Sequence, residues 1–234
     1  WDNRPLYQSV VKGTPIAGVY ALGNTSKGYT VNLSLKAEKH FNFGLDLMAS
    51  YTWTRSRSAA NGGSSVAKSN WTYQYTHRDC NDLEVGNSAY NVPHRIQASA
   101  YYHIKYGLQK QWQTTIGVIY QGKSGSPYTY YYYGDVNEDG SKGNDLFYIP
   151  TDAQIDKMRF EETKYNKNTF TNRMFGDNHG DKLTEEMQRE MLKKWIADDS
   201  YLSKHRGEYY ERYADNLAFE HHFDVHFGQK FSFK

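Results

Sequence analysis

Two pairs of segments in this chain alternate apolar and polar side chains with a period of two. In residues 28–39 one face carries Tyr29, Val31, Leu33, Leu35 and Ala37, and the other carries Thr30, Asn32, Ser34, Lys36 and Glu38. After the link 40–44 the alternation resumes, with Leu45, Leu47, Ala49, Tyr51 and Trp53 on the apolar side. Because successive side chains of a β-strand point to opposite faces, this spacing predicts a hairpin with one wet face.

The same pattern returns further along the chain. A second hairpin is predicted from Ile96, Ala98, Ala100, Tyr102 and Ile104, then the link 107–111, then Trp112, Thr114, Ile116, Val118 and Tyr120. A last segment, residues 218–233, sets Phe219, Phe223, Val225, Phe227, Phe231 and Phe233 against His222, Asp224 and His226. We therefore expect an all-β, antiparallel fold of about six strands.

Short links and very long connections alternate between these strands. Links 40–44 and 107–111 are tight, whereas segments 55–93 and 122–217 are far longer than the loops of compact soluble domains. Transmembrane β-barrels have short periplasmic turns and longer extracellular loops. The rhythm predicts a partial transmembrane β-barrel whose two long segments face outward.

Composition agrees with spanning strands and not with spanning helices. Mean hydropathy is −0.87, and no run approaches the roughly 20 apolar residues of a spanning helix. The 22 Tyr suit interfacial girdles or substrate-contacting loops. A net charge of +2 gives no bulk attraction to nucleic acid, and a single Cys, Cys80, excludes an internal disulfide framework.

The spacing of aromatic residues matches the height of a membrane. Phe43 and Trp53 are expected on one face, and at about 3.3 Å per residue and a tilt near 40° they span roughly 25 Å along the membrane normal. Trp112 and Tyr120 span roughly 20 Å by the same estimate. We expect these aromatics at the two membrane interfaces.

The segment 122–217 contains one helical pattern. Leu183, Met187, Met191 and Trp195 recur every fourth residue. Thr184 is the candidate N-cap, and Glu185 and Glu186 fall in the first turn, where acidic side chains favour a helix. A helix is therefore predicted inside this outward loop.

Several strings of the sequence resemble one known family. They lie at 24–33, 51–58, 66–71, 92–96, 120–128, 134–140 and 144–150, and the most specific, 201–209, reads Tyr-Leu-Ser-Lys-His-Arg-Gly-Glu-Tyr. Together they resemble TonB-dependent outer-membrane receptors with a carboxypeptidase-regulatory-like domain, the Oar/SusC-like group. From about residue 24 the resemblance covers nearly the whole chain.

The resemblance implies a barrel of about 22 strands in outer-membrane lipid, with an N-terminal plug. It also implies substrate uptake driven by the TonB complex of the inner membrane, and it leaves open whether a surface lipoprotein acts as a lid partner. Residues 1–234 would be a C-terminal section of that barrel, without the plug and the final strands. About six strands cannot close a barrel that needs at least about eight, so we expect a larger protein.

Residues 135–140 follow the first half of a calcium-binding loop. Asp135, Asn137 and Asp139 stand at positions one, three and five, and a Gly follows at position six. Hard cations favour such closely spaced oxygens. The twelfth position, Leu146, cannot act as a ligand, so Asp145, one place earlier, is the fourth candidate. The pattern predicts a calcium ion that stiffens the loop, and an acidic loop tip without an ion is the alternative.

Aromatic side chains are frequent in the outward segments. The candidate substrate contacts are Trp71, Tyr73, Tyr75, Tyr130 and Tyr132, which could stack on sugars or hold a peptide. Packing of the loops, or a place in the outer girdle, explains the same residues equally well. His222, Asp224 and His226 share a face, and we interpret them as polar barrel wall rather than a transition-metal site.

No Gly-rich phosphate cradle, nucleophile elbow or paired catalytic carboxylate stands out, so no catalytic residue and no enzyme activity are predicted. We expect a receptor or transporter of the bacterial outer membrane whose loops bind an imported nutrient or close over it. The alternative from another class is a non-transporting barrel, either an adhesin or a subunit that scaffolds a surface complex. A third reading, a soluble β-sandwich carbohydrate-binding module, requires the apolar side to pack against a second sheet.

Overall fold

The computed structural model describes residues 2–6, 19–60, 62–82, 84–164 and 182–232. In chain order the elements are β1 (Gly28–His40), β2 (Leu45–Ser58), α1 (Ala67–Thr72), β3 (Gly86–Asn87), β4 (His94–Tyr106), β5 (Trp112–Lys123), β6 (Pro127–Tyr128), α2 (Asp152–Ile155), β7 (Thr163–Lys164), β8 (Lys182–Leu183), α3 (Glu185–Asp198), a 3₁₀ turn (Leu202–Lys204), β9 (Asp215–Asn216) and β10 (Glu220–Phe231). Among these residues, no helix is long and apolar enough to span a bilayer.

Five long strands form one antiparallel sheet. Their order is β1-β2-β4-β5-β10, and the short β3 pairs with the end of β2. Both predicted hairpins are confirmed, with turns at 41–44 and 107–111. The last strand is confirmed too, although it spans Glu220–Phe231, so Phe219 precedes it and Phe233 lies outside the described residues.

Strand β2 is longer than the sequence predicts. The polar run after Thr54 predicts the start of the outward loop, but β2 continues to Ser58. Its last residues pair with Gly28–Val31 of β1 on one side and with β3 on the other. The Arg57 guanidinium donates to the Val85 carbonyl at 2.9 Å. Because β2 has a neighbouring strand on each side, its backbone hydrogen bonds continue through residues whose polar side chains alone indicate a loop.

The register places every predicted apolar position that lies within these strands on one side of the sheet. Directly opposed residues of an antiparallel pair share a face, and one such row runs Leu47, Ala100, Val118 and Val225 across four strands. We call this side the apolar face; its main members are Tyr29, Val31, Leu33, Leu35, Ala37, Leu47, Ala49, Tyr51, Trp53, Ile96, Ala98, Ala100, Tyr102, Ile104, Ile116, Val118, Tyr120, Phe223, Val225, Phe227 and Phe231.

The apolar face is uncovered. Leu35 and Val225 are 75% and 78% exposed, and the described residues place no second sheet against them. A soluble β-sandwich would bury this side against a second sheet about 10 Å away. A contiguous exposed apolar surface of this kind marks a site of contact with a membrane or with another protein.

Aromatic rings gather near both ends of the apolar face. At the short-turn end, ring centroids lie 5.8 Å apart for Tyr106 and Trp112 and 6.3 Å apart for Trp112 and Phe231. Towards the other end, Tyr120 lies 4.9 Å from Phe223. Phe43 lies in the turn rather than in β2, which begins at Leu45. Aromatic rings therefore lie near both ends of this face, with Phe43 at the tip of its hairpin, and their place at the membrane interfaces stays a prediction.

The opposite side of the sheet carries hydrogen-bonded polar side chains, and we call it the polar face. Its members include Thr30, Asn32, Ser34, Thr52, Thr54, Ser56, Arg95, Gln97, Ser99, Tyr101, His103, Gln113, Thr115, Gln121, Lys123, Glu220, His222, Asp224 and His226. Cross-strand contacts join Ser34 to Thr52 at 2.9 Å and Thr54 to Asn32 at 2.7 Å. Such a face tolerates water.

The first short turn depends on glycine. Gly44 has a φ of +96°, and a Cβ there would lie 2.5 Å from the His103 carbonyl oxygen. The Gly44 amide donates to the Phe41 carbonyl at 3.0 Å, and the His103 amide donates to the Gly44 carbonyl at 2.8 Å. The turn therefore closes the hairpin and binds the neighbouring strand β4.

The chain divides into two compact units. One, the strand unit, comprises residues 20–70, 83–129 and 212–234 and contains the sheet; the other, the loop unit, comprises residues 1–19, 71–82 and 130–211. The sequence predicts the second unit only as irregular loop with one helix. That prediction is incomplete, because the loop unit has a core in which Ile149, Ile155, Ile196, Leu202 and Tyr210 are fully buried.

The predicted helix is confirmed as α3. The Thr184 side chain accepts a hydrogen bond from the Met187 amide, and Glu185 and Glu186 lie in the first turn. Side chains that accept from these first amides satisfy donors that the helix itself leaves unpaired. Ile196 of this helix is fully buried, so α3 contributes directly to the core of the loop unit.

Candidate functional site

One candidate site lies on the polar face, at the strand ends from which the long connections leave. A cavity of about 460 Å³ is lined there by Arg95, Gln97, Gln121, Lys123, His222 and Asp224, together with Gly122. These side chains come from β4, β5 and β10, because alternate residues of adjacent strands share a face. Lys123 pairs with Glu220 at 3.1 Å. The wall offers charges of both signs and amides, which suits a polar solute.

The other end of the polar face carries a histidine cluster beside the short turns. Asp46 accepts from His40 Nδ1 at 2.8 Å and from His103 Nε2 at 3.1 Å. His103 Nδ1 lies 2.9 Å from the Thr115 hydroxyl. These contacts link β1, β2, β4 and β5 across the sheet, and they tie up the titratable groups in mutual hydrogen bonds.

A second candidate site lies within the loop unit. A cleft of about 420 Å³ is lined by Tyr132, Phe147, Pro150, Met158, Phe160 and Leu192, with Gln154, Lys157 and Arg159 as its polar members. The wall is aromatic and aliphatic, and the exposed Lys157 and Arg159 add positive charge. Apolar clefts with few polar groups are the usual form of a small-molecule or peptide site.

The structure separates the five aromatic residues predicted to contact substrate. Tyr132 lines the cleft, and Tyr73 is 67% exposed. Tyr75 packs on Tyr131, with ring centroids 5.1 Å apart, and Trp71 donates its indole N–H to Asn81 at 2.9 Å. Tyr130 packs edge-on against Trp195 and Tyr210 at 5.1 and 5.2 Å. Substrate contact by these residues stays a prediction, and Tyr132 and Tyr73 are the two best placed for it.

Sequence reasoning missed a buried arginine at the centre of the loop unit. Arg4 donates to Asp145 Oδ1 at 2.6 Å and to the Leu146 carbonyl at 2.7 Å. Its guanidinium also lies over the Tyr132 and Tyr209 rings, at 5.3 and 5.4 Å from their centroids. Arginine stacks on aromatic faces and forms directed bonds to carboxylates. No local sequence signal links these residues, because Arg4 and Asp145 are 141 positions apart.

The predicted calcium residues lie in the loop unit and share one turn. Asp135 and Asn137 both accept from the Asp139 amide, at 3.0 and 3.1 Å. Asp145 is engaged differently, because Oδ1 accepts from Arg4 and Oδ2 accepts from the Val136 amide at 2.8 Å. Among the described residues, no three His, Cys, Asp or Glu side chains form a group that could hold a metal.

Burial raises the pKa of four groups in this unit, namely Cys80, Tyr132, Asp145 and Tyr209. It raises the pKa of the Cys80 thiol to about 12 and that of the Tyr132 hydroxyl to about 12. It also raises the pKa of the Asp145 carboxyl, against the opposing effects of the Val136 amide and the Arg4 guanidinium. Desolvation disfavours the charged form of each group. Cys80 is therefore a poor nucleophile.

The histidines of β10 divide between the two faces. His222 lines the cavity on the polar face with Asp224, and His226 lies on the same side next to Tyr101, with ring centroids 6.0 Å apart. His221 lies on the apolar face, where its Nδ1 is 2.9 Å from the Tyr120 hydroxyl. His222 and His226 thus form polar wall, in agreement with the sequence interpretation.

Comparison with protein families agrees with the geometry of the sheet. The sequence profile of the family described as outer membrane beta barrel domain matches residues 3–206. No curated protein and no solved structure matches the chain. In transmembrane β-barrels the apolar side of the sheet faces lipid and the polar side faces the interior, which matches the two faces of this sheet. The chain therefore belongs to the outer membrane beta barrel domain family and lies in the bacterial outer membrane.

Proposed function

We propose that this chain is the barrel segment of a TonB-dependent receptor that imports a nutrient across the outer membrane. The observation that carries the proposal is the combination of a polar barrel wall with the separately packed loop unit. The cavity lined by Arg95, Gln121 and Asp224 would offer polar contacts to a solute that crosses the barrel, and the cleft lined by Tyr132 and Phe147 would offer a binding surface. The resemblance to the Oar/SusC-like group supports the same assignment.

The loop unit would capture the substrate or close over it. Strand connectivity supports this role, because both long connections leave the sheet at the end opposite the short turns at 41–44 and 107–111. In outer-membrane barrels that end is extracellular. The packed core around Ile149 and Ile196 holds the cleft in shape, and a preorganised site loses less conformational entropy on binding.

The test uses the full-length gene product in its own host. Growth of the wild type, of a strain lacking this gene and of a strain lacking TonB is compared on a panel of oligosaccharides and peptides as sole nutrients. Receptor-mediated import predicts that both deletions lose growth on the same nutrient. Loss in the gene deletion alone, or in neither, refutes TonB-dependent transport.

A variant pair then tests the cleft. Phe160 lines it, whereas Tyr133 is 98% exposed and does not. Phe160→Ala is expected to lower the rate of uptake of the identified nutrient, and Tyr133→Ala serves as the control. Receptor abundance in the outer membrane is measured for both. Equal rates for the two variants at equal abundance contradict a role for the cleft.

A non-transporting scaffold predicts a different result. Deletion of the gene would then release partner proteins from the outer-membrane fraction while growth on every nutrient is unchanged. Quantitative proteomics of that fraction detects this outcome.

A further inference from the structure

The loop 135–145 turns several side-chain oxygens towards its own centre. Asp135 Oδ1 and Asn137 Oδ1 both accept from the Asp139 amide, at 3.0 and 3.1 Å, and Asp135 Oδ2 accepts from the Gly140 amide at 2.9 Å. Two oxygens that share one N–H converge on the inner side of the turn. Gly140 has a φ of +88°, the left-handed conformation that such a sharp turn needs.

Two buried oxygens beside this turn have no hydrogen-bond partner. Asn144 is fully buried and Ser141 is 2% exposed, and neither Asn144 Oδ1 nor Ser141 Oγ is bonded to any described residue. The Asn144 amide group lies against the turn, because its Nδ2 is 3.3 Å from Asp139 Oδ2. A buried polar group without a partner costs about 1–3 kcal/mol. These oxygens therefore point to a ligand that accepts their lone pairs.

We propose that this loop binds one calcium ion. Asp135, Asn137 and Asp139 supply side-chain oxygens at positions one, three and five, and Ser141 stands at position seven, where such loops supply a backbone carbonyl. Asn144 completes the set through its amide oxygen. That oxygen is the buried Oδ1 that has no hydrogen-bond partner among the described residues.

Asp145 then anchors the loop instead of binding the ion. Both of its oxygens are engaged, one by Arg4 and the other by the Val136 amide. The ion would hold residues 135–144 together, and the Arg4–Asp145 pair would tie that folded turn to the rest of the loop unit. This role does not depend on transport, so the calcium site stands or falls separately from the proposed function.

The donor set favours calcium over other divalent ions. All the proposed ligands are oxygens, and two of them are carboxylates, which balance the charge of the ion. Zinc prefers sulfur and nitrogen, yet Cys80 is the only Cys of the chain and the described residues group no His with it. Magnesium retains several waters and demands octahedral geometry, whereas calcium accepts six to eight oxygens in a flexible arrangement.

Calcium titration of the full-length protein tests the site. The protein is refolded from inclusion bodies into detergent, so that no lipopolysaccharide competes for the ion, and calcium chloride is titrated calorimetrically. The wild type is expected to show one saturable site with a Kd of about 10⁻⁴–10⁻³ M, the range of extracellular calcium modules. Asp139→Asn is expected to weaken binding about tenfold or more, since it removes a charged oxygen ligand.

Glu138→Gln is the matched control. Glu138 lies in the same loop, is exposed, and makes no hydrogen bond or ion pair among the described residues. Glu138→Gln removes one negative charge, as Asp139→Asn does, but it removes no proposed ligand. Its effect on the calcium affinity is therefore expected to stay within about twofold. If Asp139→Asn fails to fold, Asn144→Asp tests the site instead. A carboxylate at that position should bind the ion more strongly, so calcium should raise the urea midpoint of unfolding by more than it does in the wild type.

Three results would overturn the proposal. The first is the absence of saturable calcium binding by the folded wild type. The second is an equal affinity in Asp139→Asn and Glu138→Gln, or an unchanged calcium response in Asn144→Asp. The third is displacement of calcium by an equimolar amount of zinc or magnesium.

Discussion

Arginine substitutions at two adjacent positions of β5 should have very different costs. Val118 lies on the apolar face, opposite Ala100 and Val225, whereas Ile119 lies on the polar face, opposite Ser99 and Asp224. The two residues are neighbours on the same interior strand, so their depths differ by only about 2–3 Å. The pair Val118→Arg and Ile119→Arg therefore isolates the direction in which a side chain points.

The register gives the depth of these positions. Val118 lies six positions along β5 from Trp112 of the aromatic band. Six steps span roughly 20 Å along the strand and about 15 Å along the membrane normal at a tilt near 40°. That is close to the middle of an apolar layer about 25 Å tall. An arginine facing lipid at the midplane costs about 2–4 kcal/mol, or about 30- to 700-fold in the folding equilibrium.

The polar-face substitution meets water and an acidic neighbour. In Ile119→Arg, an ion pair between the introduced guanidinium and the Asp224 carboxylate would contribute about 0–1 kcal/mol, so little net change is expected. Both variants of the full-length protein are folded into vesicles and unfolded with urea, and Trp fluorescence follows the transition. If Ile119→Arg costs as much as Val118→Arg, or more, the assignment of the two faces is wrong.

Three further predictions concern single contacts. Burial raises the pKa of the Cys80 thiol to about 12, so at pH 8 about one thiol in 10⁴ is ionised. Maleimide should therefore label Cys80 only as the pH approaches that value or when the protein unfolds. Rapid labelling of the folded protein at pH 8 would contradict this. A Cβ at Gly117 would lie 2.4 Å from the Tyr101 ring, so Gly117→Ala should lower the free energy of unfolding in urea by about 1–3 kcal/mol. The loss should be smaller when Tyr101→Ala is already present. An equal loss in both backgrounds would show that the Tyr101 ring is not the cause. Thr184→Ala removes the acceptor for the Met187 amide and should destabilise α3 by about 1 kcal/mol. The loss is measured as faster hydrogen exchange at the Met187 amide, and unchanged exchange there would argue against the cap.

The sheet could be predicted because its information is local. A period of two fixes which residues share a face, and the short links at 41–44 and 107–111 fix which strands pair. The structure has these hairpins and these faces. The end of β2 could not be predicted, because pairing with β1 and β3 extends a strand whose last side chains, such as Arg57, are typical of a loop.

The loop unit could be predicted only in part, because its contacts join distant positions. The helix α3 has local signals, namely the cap at Thr184 and the two acidic residues that follow. The cleft has none, since it joins Tyr132, Met158 and Leu192 through tertiary packing. Likewise, the motif at 135–139 identified oxygens that share a turn, but nothing in it indicated that Asn144 is buried beside Asp139.

The salt bridge between Arg4 and Asp145 constrains the order in which the protein assembles. The two partners bracket β1, β2, β4 and β5, so the contact closes a chain segment of 141 positions. Closing so long a segment is entropically costly unless intervening structure already shortens the distance. We therefore expect the hairpins to form first and the guanidinium to enter its aromatic sandwich late. A chain trapped with its hairpins formed but this contact unmade would leave the core of the loop unit incompletely packed, and we expect that unit to be cleaved more readily by proteases.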